Sequence, residues 1–256
     1  MKYFVGACLV VLIFQSCKNS ANSESDDMTL VDSIELNIEN IVNDIIANKD
    51  SLAVVPSMRF AKGEDETYTA KMYGKNQETK LIREEQISNT VIVGRDYYYN
   101  NSELIFLKEE GSVFENAVEV YTEKLFYFQE GELYKAYSKN QFTEDNMFDD
   151  SLFEVTNFDV NQIDFEKPAR ALQQKGEFEM FFDQFLLIDP QSYLIVENSD
   201  KTINAALYII EGDSVLNRLY ENPDTFKGAK LWVYHSFREM NGIERMIYEG
   251  AVFQSQ

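Results

Sequence analysis

Tyr97-Tyr98-Tyr99-Asn100-Asn101-Ser102-Glu103-Leu104 recurs at an offset of 29 as Phe126-Tyr127-Phe128-Gln129-Glu130-Gly131-Glu132-Leu133. In each copy an aromatic triplet runs into a polar turn and leaves through Glu-Leu, the pattern of two strands joined by a tight hairpin. A looser copy, Met72-Tyr73-Gly74-Lys75-Asn76 to Lys80-Leu81-Ile82, precedes them. Three such hairpins predict an antiparallel β-meander of about six strands over 57–139. Side chains alternate across a strand, so Tyr97 and Tyr99 share one face and Tyr98 takes the other, as Phe126 and Phe128 oppose Tyr127. Large rings on both faces require two covers. These six residues are therefore the candidate ligand or partner face, unless the rest of the chain packs on them.

One cover lies just upstream. From Leu30 to Ile46 the apolar residues fall at 30, 31, 34, 38, 41, 42, 45 and 46, one face of a helix. Thr29 or Asp32 can cap its start, and Asn48-Lys49-Asp50 supplies polar turn chemistry at its end.

Downstream, 141–167 is acidic and irregular and reads as a linker between a 30–140 domain and a 168–256 domain. Pro168 opens a short helical stretch ending at Gly176, and Phe178, Phe181, Phe182, Phe185 and Leu186 are spaced for a helix over 177–187. Strands follow at 193–197 and 202–210, a helix at 214–221, and strands at 229–237 and 243–253, the last two joined by the type I′ signal Asn241-Gly242. The expected class is α+β: a helix on a meander, followed by a smaller ββαββ unit. Were 178–188 a strand, the order would instead resemble an OB barrel.

The start of the chain carries a different signal. Lys2 is followed by an apolar run from Val5 to Phe14 and then Phe14-Gln15-Ser16-Cys17. A run this short does not span a bilayer, which takes roughly 20 residues. The segment resembles the lipobox signal of bacterial lipoproteins, with Gln15 its uncommon position. The resemblance implies cleavage of 1–16, acylation of Cys17, and a polar tether over 17–29. It also implies an outer-membrane location, because Lys18 stands where the family's inner-membrane retention signal has Asp. Helix and aromatic hairpins together are similar to envelope lipoproteins of that kind, a likeness that carries over no functional residue.

Composition narrows the partners. Acidic residues number 44 against 23 basic, a formal net charge of −21. Such a body repels phosphate backbones, so nucleic acid is not an expected partner. Both cysteines lie at or before position 17, leaving the folded body without a thiol or disulfide. His235 is the only histidine, on the Leu231/Val233 face of its strand, which removes paired-histidine metal sites. No nucleophile elbow, zincin, Walker or dinucleotide motif occurs. Glu144 to Asp150 lacks the spacing and glycine of a calcium loop. Trp232 and Tyr234 are a weak stacking platform for sugars.

No cofactor or metal is expected. The resulting expectation is a non-catalytic, lipid-anchored binding or assembly module. Its partners would be the bilayer through Cys17 and an envelope protein or a small apolar or glycan ligand. Two alternatives stand beside it: a carrier of an apolar molecule on the aromatic sheet face, and a carboxylate-dependent glycan hydrolase, for which sequence cannot supply the carboxylate spacing.

Overall fold

A computed structural model describes residues 26–115, 118–141, 153–155, 158 and 160–255. The segment read from sequence as a leader, with Cys17, and the acidic run from Glu144 to Asp150 lie outside the described residues. Among the described residues no helix is long and apolar enough to cross a membrane. The chain divides into two compact units, Met1–Asn37 and Ile38–Gln256. In the first, the described part is the opening of helix α1 (Asp26–Ala47). In the second, Ile38, Val42 and Ile45 of α1 are buried at the i, i+4, i+7 spacing that places them on one face.

An edge chain, β1 (Ala53–Pro56) and β2 (Phe60–Lys62), pairs along β3 (Glu66–Lys75). Ser57 joins the two segments by donating its amide to Ala70 O at 2.7 Å and accepting from Ala70 N through Oγ at 2.8 Å. The meander continues as β4 (Glu78–Ile87), β5 (Val91–Asn100), β6 (Glu103–Glu115), β7 (Val118–Gln129) and β8 (Glu132–Gln141), with β9 (Phe153–Glu154) on its edge. The expected strand number and antiparallel order are present. Asn76-Gln77, Asn101-Ser102 and Glu130-Gly131 all have positive φ at both positions, the two-residue geometry that matches strand twist. In each hairpin the pairing shifts beside the aromatic run, at Tyr73/Gly74, Tyr98/Tyr99 and Tyr127/Phe128. The sequence repeat is therefore a repeated, bulged hairpin.

Both aromatic faces are covered from within the chain. On one, Tyr98, Phe106, Tyr127 and Tyr137 pack ring to ring, and the Tyr127 hydroxyl donates to Glu39 of α1 at 3.0 Å. On the other, Tyr97, Leu107, Phe126 and Phe128 form a core with Ile163, against which Val155, Phe158, Val160, Phe165 and Leu172 pack. Phe158 lies 4.7 Å from Phe126, and Phe165 meets Phe128 edge-on at 5.8 Å. The stretch expected to be an acidic linker is thus, in its described part, a lid whose apolar residues are interleaved with acids that stay outside. It leads into α2 (Lys167–Leu172), with Pro168 in the first turn as expected.

The segment expected as a helix over 177–187 is instead strand β10 (Met180–Ile188). A bulge between Phe182 and Gln184 inserts one residue, so Phe182 and Phe185 fall on the same face with rings 5.2 Å apart. An i, i+3 apolar spacing is what a bulged strand and a helix have in common. The remaining elements follow the expected order: β11 (Gln191–Glu197), β12 (Ile203–Tyr208), α3 (Ser214–Glu221), a one-turn α4 (Pro223–Phe226), β13 (Lys230–Met240) and β14 (Ile243–Phe253). Asn241-Gly242 has the expected positive φ at both positions.

Five strands close into a barrel, β10-β11-β12-β14-β13 and back to β10, with β12 and β14 parallel and all other pairs antiparallel. Met180, Phe182, Leu194, Val196, Leu207, Leu231 and Val233 fill its interior. Helix α3 docks Leu216 and Leu219 into that core. Its cap Asp213 accepts from Leu216 N at 2.8 Å, from the Tyr248 hydroxyl at 3.0 Å and from Ala251 N at 3.3 Å, tying helix to barrel. Where β10 leaves β13, the buried Gln174 amide pairs with both backbone groups of Val233, at 2.7 and 3.0 Å, as a neighbouring strand would. Strand β2 pairs with β12, so meander and barrel share one sheet.

Candidate interaction surface on the barrel

The residues singled out for a ligand face turn inward. Tyr97, Tyr98, Phe126, Tyr127 and Phe128 are buried, and half-buried Tyr99 packs against the same core as Tyr97. Burial and the Glu84 charge push the Tyr99 hydroxyl up to about 12. As a carrier surface, this face is already filled by the chain's own rings.

Beneath Tyr97 runs a row of charges that no motif announces. Glu84, Arg95, Glu109 and Lys124 stand directly opposite one another on β4, β5, β6 and β7. Glu84 accepts from the hydroxyls of Tyr68 and Tyr97 at 2.6 and 2.7 Å and from Arg95 at 2.8 Å. Glu109 accepts from Arg95 at 2.5 Å and from Lys124 at 2.7 Å. Burial pushes the Glu109 carboxyl up, but Lys124 and Arg95 more than offset this, and it lies below the ordinary carboxylate value. A general acid for glycoside cleavage needs the opposite shift. This row therefore makes a poor hydrolase pair: its carboxylates are spent on structure.

His235 is largely buried, edge-on to Phe237 at 5.7 Å, and its Nε2 has no hydrogen-bond partner among the described residues. Burial lowers its pKa, only partly opposed by the backbone of Ser57 and Val233. No serine hydroxyl or carboxylate is bonded to it among the described residues, so a triad has no geometry here. Trp232 and Tyr234 share the outer face of β13, with Tyr234 exposed. Among the described residues no group of three or more His, Cys, Asp or Glu is placed to hold a metal.

The exposed chemistry gathers at one end of the barrel. Because Leu194, Val196 and Leu207 point inward, alternation sends Tyr193 and Tyr208 outward, directly opposite each other. Their rings are 5.5 Å apart. Leu186 stands opposite Tyr193, and Ile188 opposite Gln191, on the same outer face. Arg245, reaching over from β14, donates to the Tyr193 hydroxyl at 2.6 Å and to Gln191 at 3.2 Å, with its guanidinium 5.3 Å from the Tyr208 ring centre. Tyr193 in turn donates to Gln191 at 2.6 Å.

On that face Leu186 is 43% and Ile188 54% exposed, while Leu187, opposite Ser192 and 69% exposed, alternates to the other side of the strand. Ile209 N, bonded to Ser192 O at 2.9 Å, holds the end of β12 against β11. Ordered tyrosine and arginine are residue types enriched at protein-binding hot spots. Sequence reasoning missed Tyr193, Tyr208 and Arg245. The one available signal was Leu186-Leu187-Ile188 running into Asp189-Pro190, three aliphatics at a turn.

Comparison with protein-family models, with curated proteins and with solved structures finds no match for this chain.

Proposed function

We propose that this protein is a non-catalytic binding or assembly module of the bacterial cell envelope, acylated on Cys17 and held at the outer membrane. In this reading the barrel is OB-like and docks an envelope protein through the face built on Tyr193, Tyr208 and Arg245. Two observations favour the barrel assignment: strand order 1-2-3-5-4 closing on 1, and a helix between the third and fourth barrel strands. The observation that carries the function is the pair of exposed aliphatics Leu186 and Ile188 on the face of an ordered Tyr–Arg cluster. An aliphatic patch of this kind costs solubility and is rare on a monomer unless something covers it. A protein partner fits better than an anionic surface, given the acidic body.

The test uses intact cells and a photoreactive residue in place of Ile188. A discrete protein adduct that disappears when Arg245→Glu is added supports the reading; an adduct indifferent to Arg245, or crosslinking to lipid alone, overturns it. For the anchor, Cys17→Ser is expected to release the protein from the membrane fraction, and unchanged fractionation would refute acylation.

A further inference from the structure

A second surface lies on the meander, on the face where Tyr127 meets Glu39. Register places Thr69, Glu85, Gly94, Glu110, Glu123 and Lys139 in one row across six strands. Thr67, Ile87, Ile92, Ser112 and Tyr121 form the next row towards the strand ends. Two cavities, of about 360 and 200 Å³, are lined by these same two rows. The smaller is closed at its outer end by Phe237 and by Glu244, which pairs with Arg59 at 2.5 Å. Six strands at about 4.8 Å spacing make the rows about 24 Å long.

Gly94 marks the middle of this trough. A side chain there would meet only Glu84 O at 3.9 Å and Glu110 O at 4.0 Å, and its φ is not positive. The backbone does not need glycine here, and a glycine inside a strand weakens it. Gly111 on the next strand differs, since a Cβ there would lie 2.7 Å from Ile92 O. A strand glycine without a backbone reason is accounted for by close approach of something to the sheet.

We propose that the trough binds a neutral polyhydroxylated chain, a glycan, laid across the strands over Gly94. Glu85, Glu110 and Glu123 offer carboxylate acceptors to sugar hydroxyls, with the Lys108 ammonium, 2.6 Å from Glu110 and 3.9 Å from Glu123, as a donor between them, and Thr67 and Thr69 add hydroxyl groups. Glu85 makes no ion pair among the described residues, leaving its oxygens open. Ile92, bare backbone at Gly94 and the Tyr121 ring give carbon surface for sugar faces. Three carboxylates against the two cations Lys108 and Lys139, within a chain of net charge −21, leave the trough on the acidic side, so acidic polymers do not fit.

Affinity electrophoresis of the full-length protein through gels containing soluble starch, β-glucan or xylan, with polygalacturonate as the anionic control, tests this. The expected result is retardation by a neutral polymer, weakened roughly tenfold in Kd by Gly94→Phe and by the pair Glu110→Gln/Glu123→Gln, with the fold retained. Absence of retardation by all three neutral polymers, retardation by polygalacturonate instead, or full binding by a folded Gly94→Phe protein would overturn the proposal. Should Gly94→Phe fail to fold, the glutamine pair decides alone.

Discussion

The meander buries charge, while the barrel exposes aliphatic side chains. Between β4 and β7, Glu84 and Glu109 are 3% and 8% exposed and sit beside Arg95, whereas at the β10–β11 turn Ile188 is 54% exposed. Each inverts what folding alone favours, and the two inversions have different causes. The buried charges are mutually satisfied and lie between the barrel core, through Tyr68, and the meander core, through Tyr97. They fix strand register, because a one-residue slip would bring like charges together. The exposed aliphatics satisfy nothing within the chain. Structure accounts for the first inversion, and a binding partner is proposed for the second.

The largest effect expected on that contrast comes from Arg95→Met. Removing the guanidinium leaves two buried carboxylates facing each other, which costs about 3–5 kcal/mol. Urea unfolding would register this as a fall in midpoint, and a loss below 1 kcal/mol, on the order of a surface pair, would mean the row is solvated. Phe126→Ala, which empties the contact with Phe158, is expected to cost about 3–5 kcal/mol as well. A small loss there would show that the 153–172 stretch does not act as a lid.

Asp213→Ala removes a helix cap together with acceptors for Tyr248 and Ala251, for about 1–2 kcal/mol from the cap alone. Comparison with Tyr248→Phe separates the cap from the barrel tie.

Acid dependence should also divide by region. His235 has its folded pKa below the unfolded value of about 6.5, so its contribution is present above that pH and is lost as pH falls below it. Glu109, also depressed, contributes above the unfolded carboxylate value and loses that contribution at lower pH. Unfolding of His235→Phe measured across both ranges should flatten the first decline and leave the second. If it flattens neither, the orphaned Nε2 has no bearing on stability.

The smallest effect on stability is expected at the barrel end. Ile188→Asp should change unfolding by no more than about 0.5 kcal/mol, since more than half of that residue is exposed.

Local chemistry was legible wherever one residue's neighbours in sequence decided its state. Helix 214–221, strand 243–253 and the Asn241-Gly242 turn were expected with the bounds they have, because caps, alternation and turn residues act over a few positions. The β10 strand was not, because its bulge between Phe182 and Gln184 imitates helical spacing. The lid was missed for another reason. Its Phe158, Ile163 and Phe165 are embedded in acids, and only the waiting aromatic face of the meander makes them a core. The Tyr193–Tyr208–Arg245 cluster joins residues from three strands, so its register was not legible before the barrel closed.

The most direct test of the contrast pairs two measurements on one variant, Ile188→Asp: its unfolding free energy, and its crosslinked or proximity-labelled partners in intact cells. The account predicts an unfolding curve that overlays the parent's together with loss of a partner protein that the parent labels. A variant that loses stability, or one that keeps the same partners, would show that the exposed aliphatics at the barrel end are not a binding face.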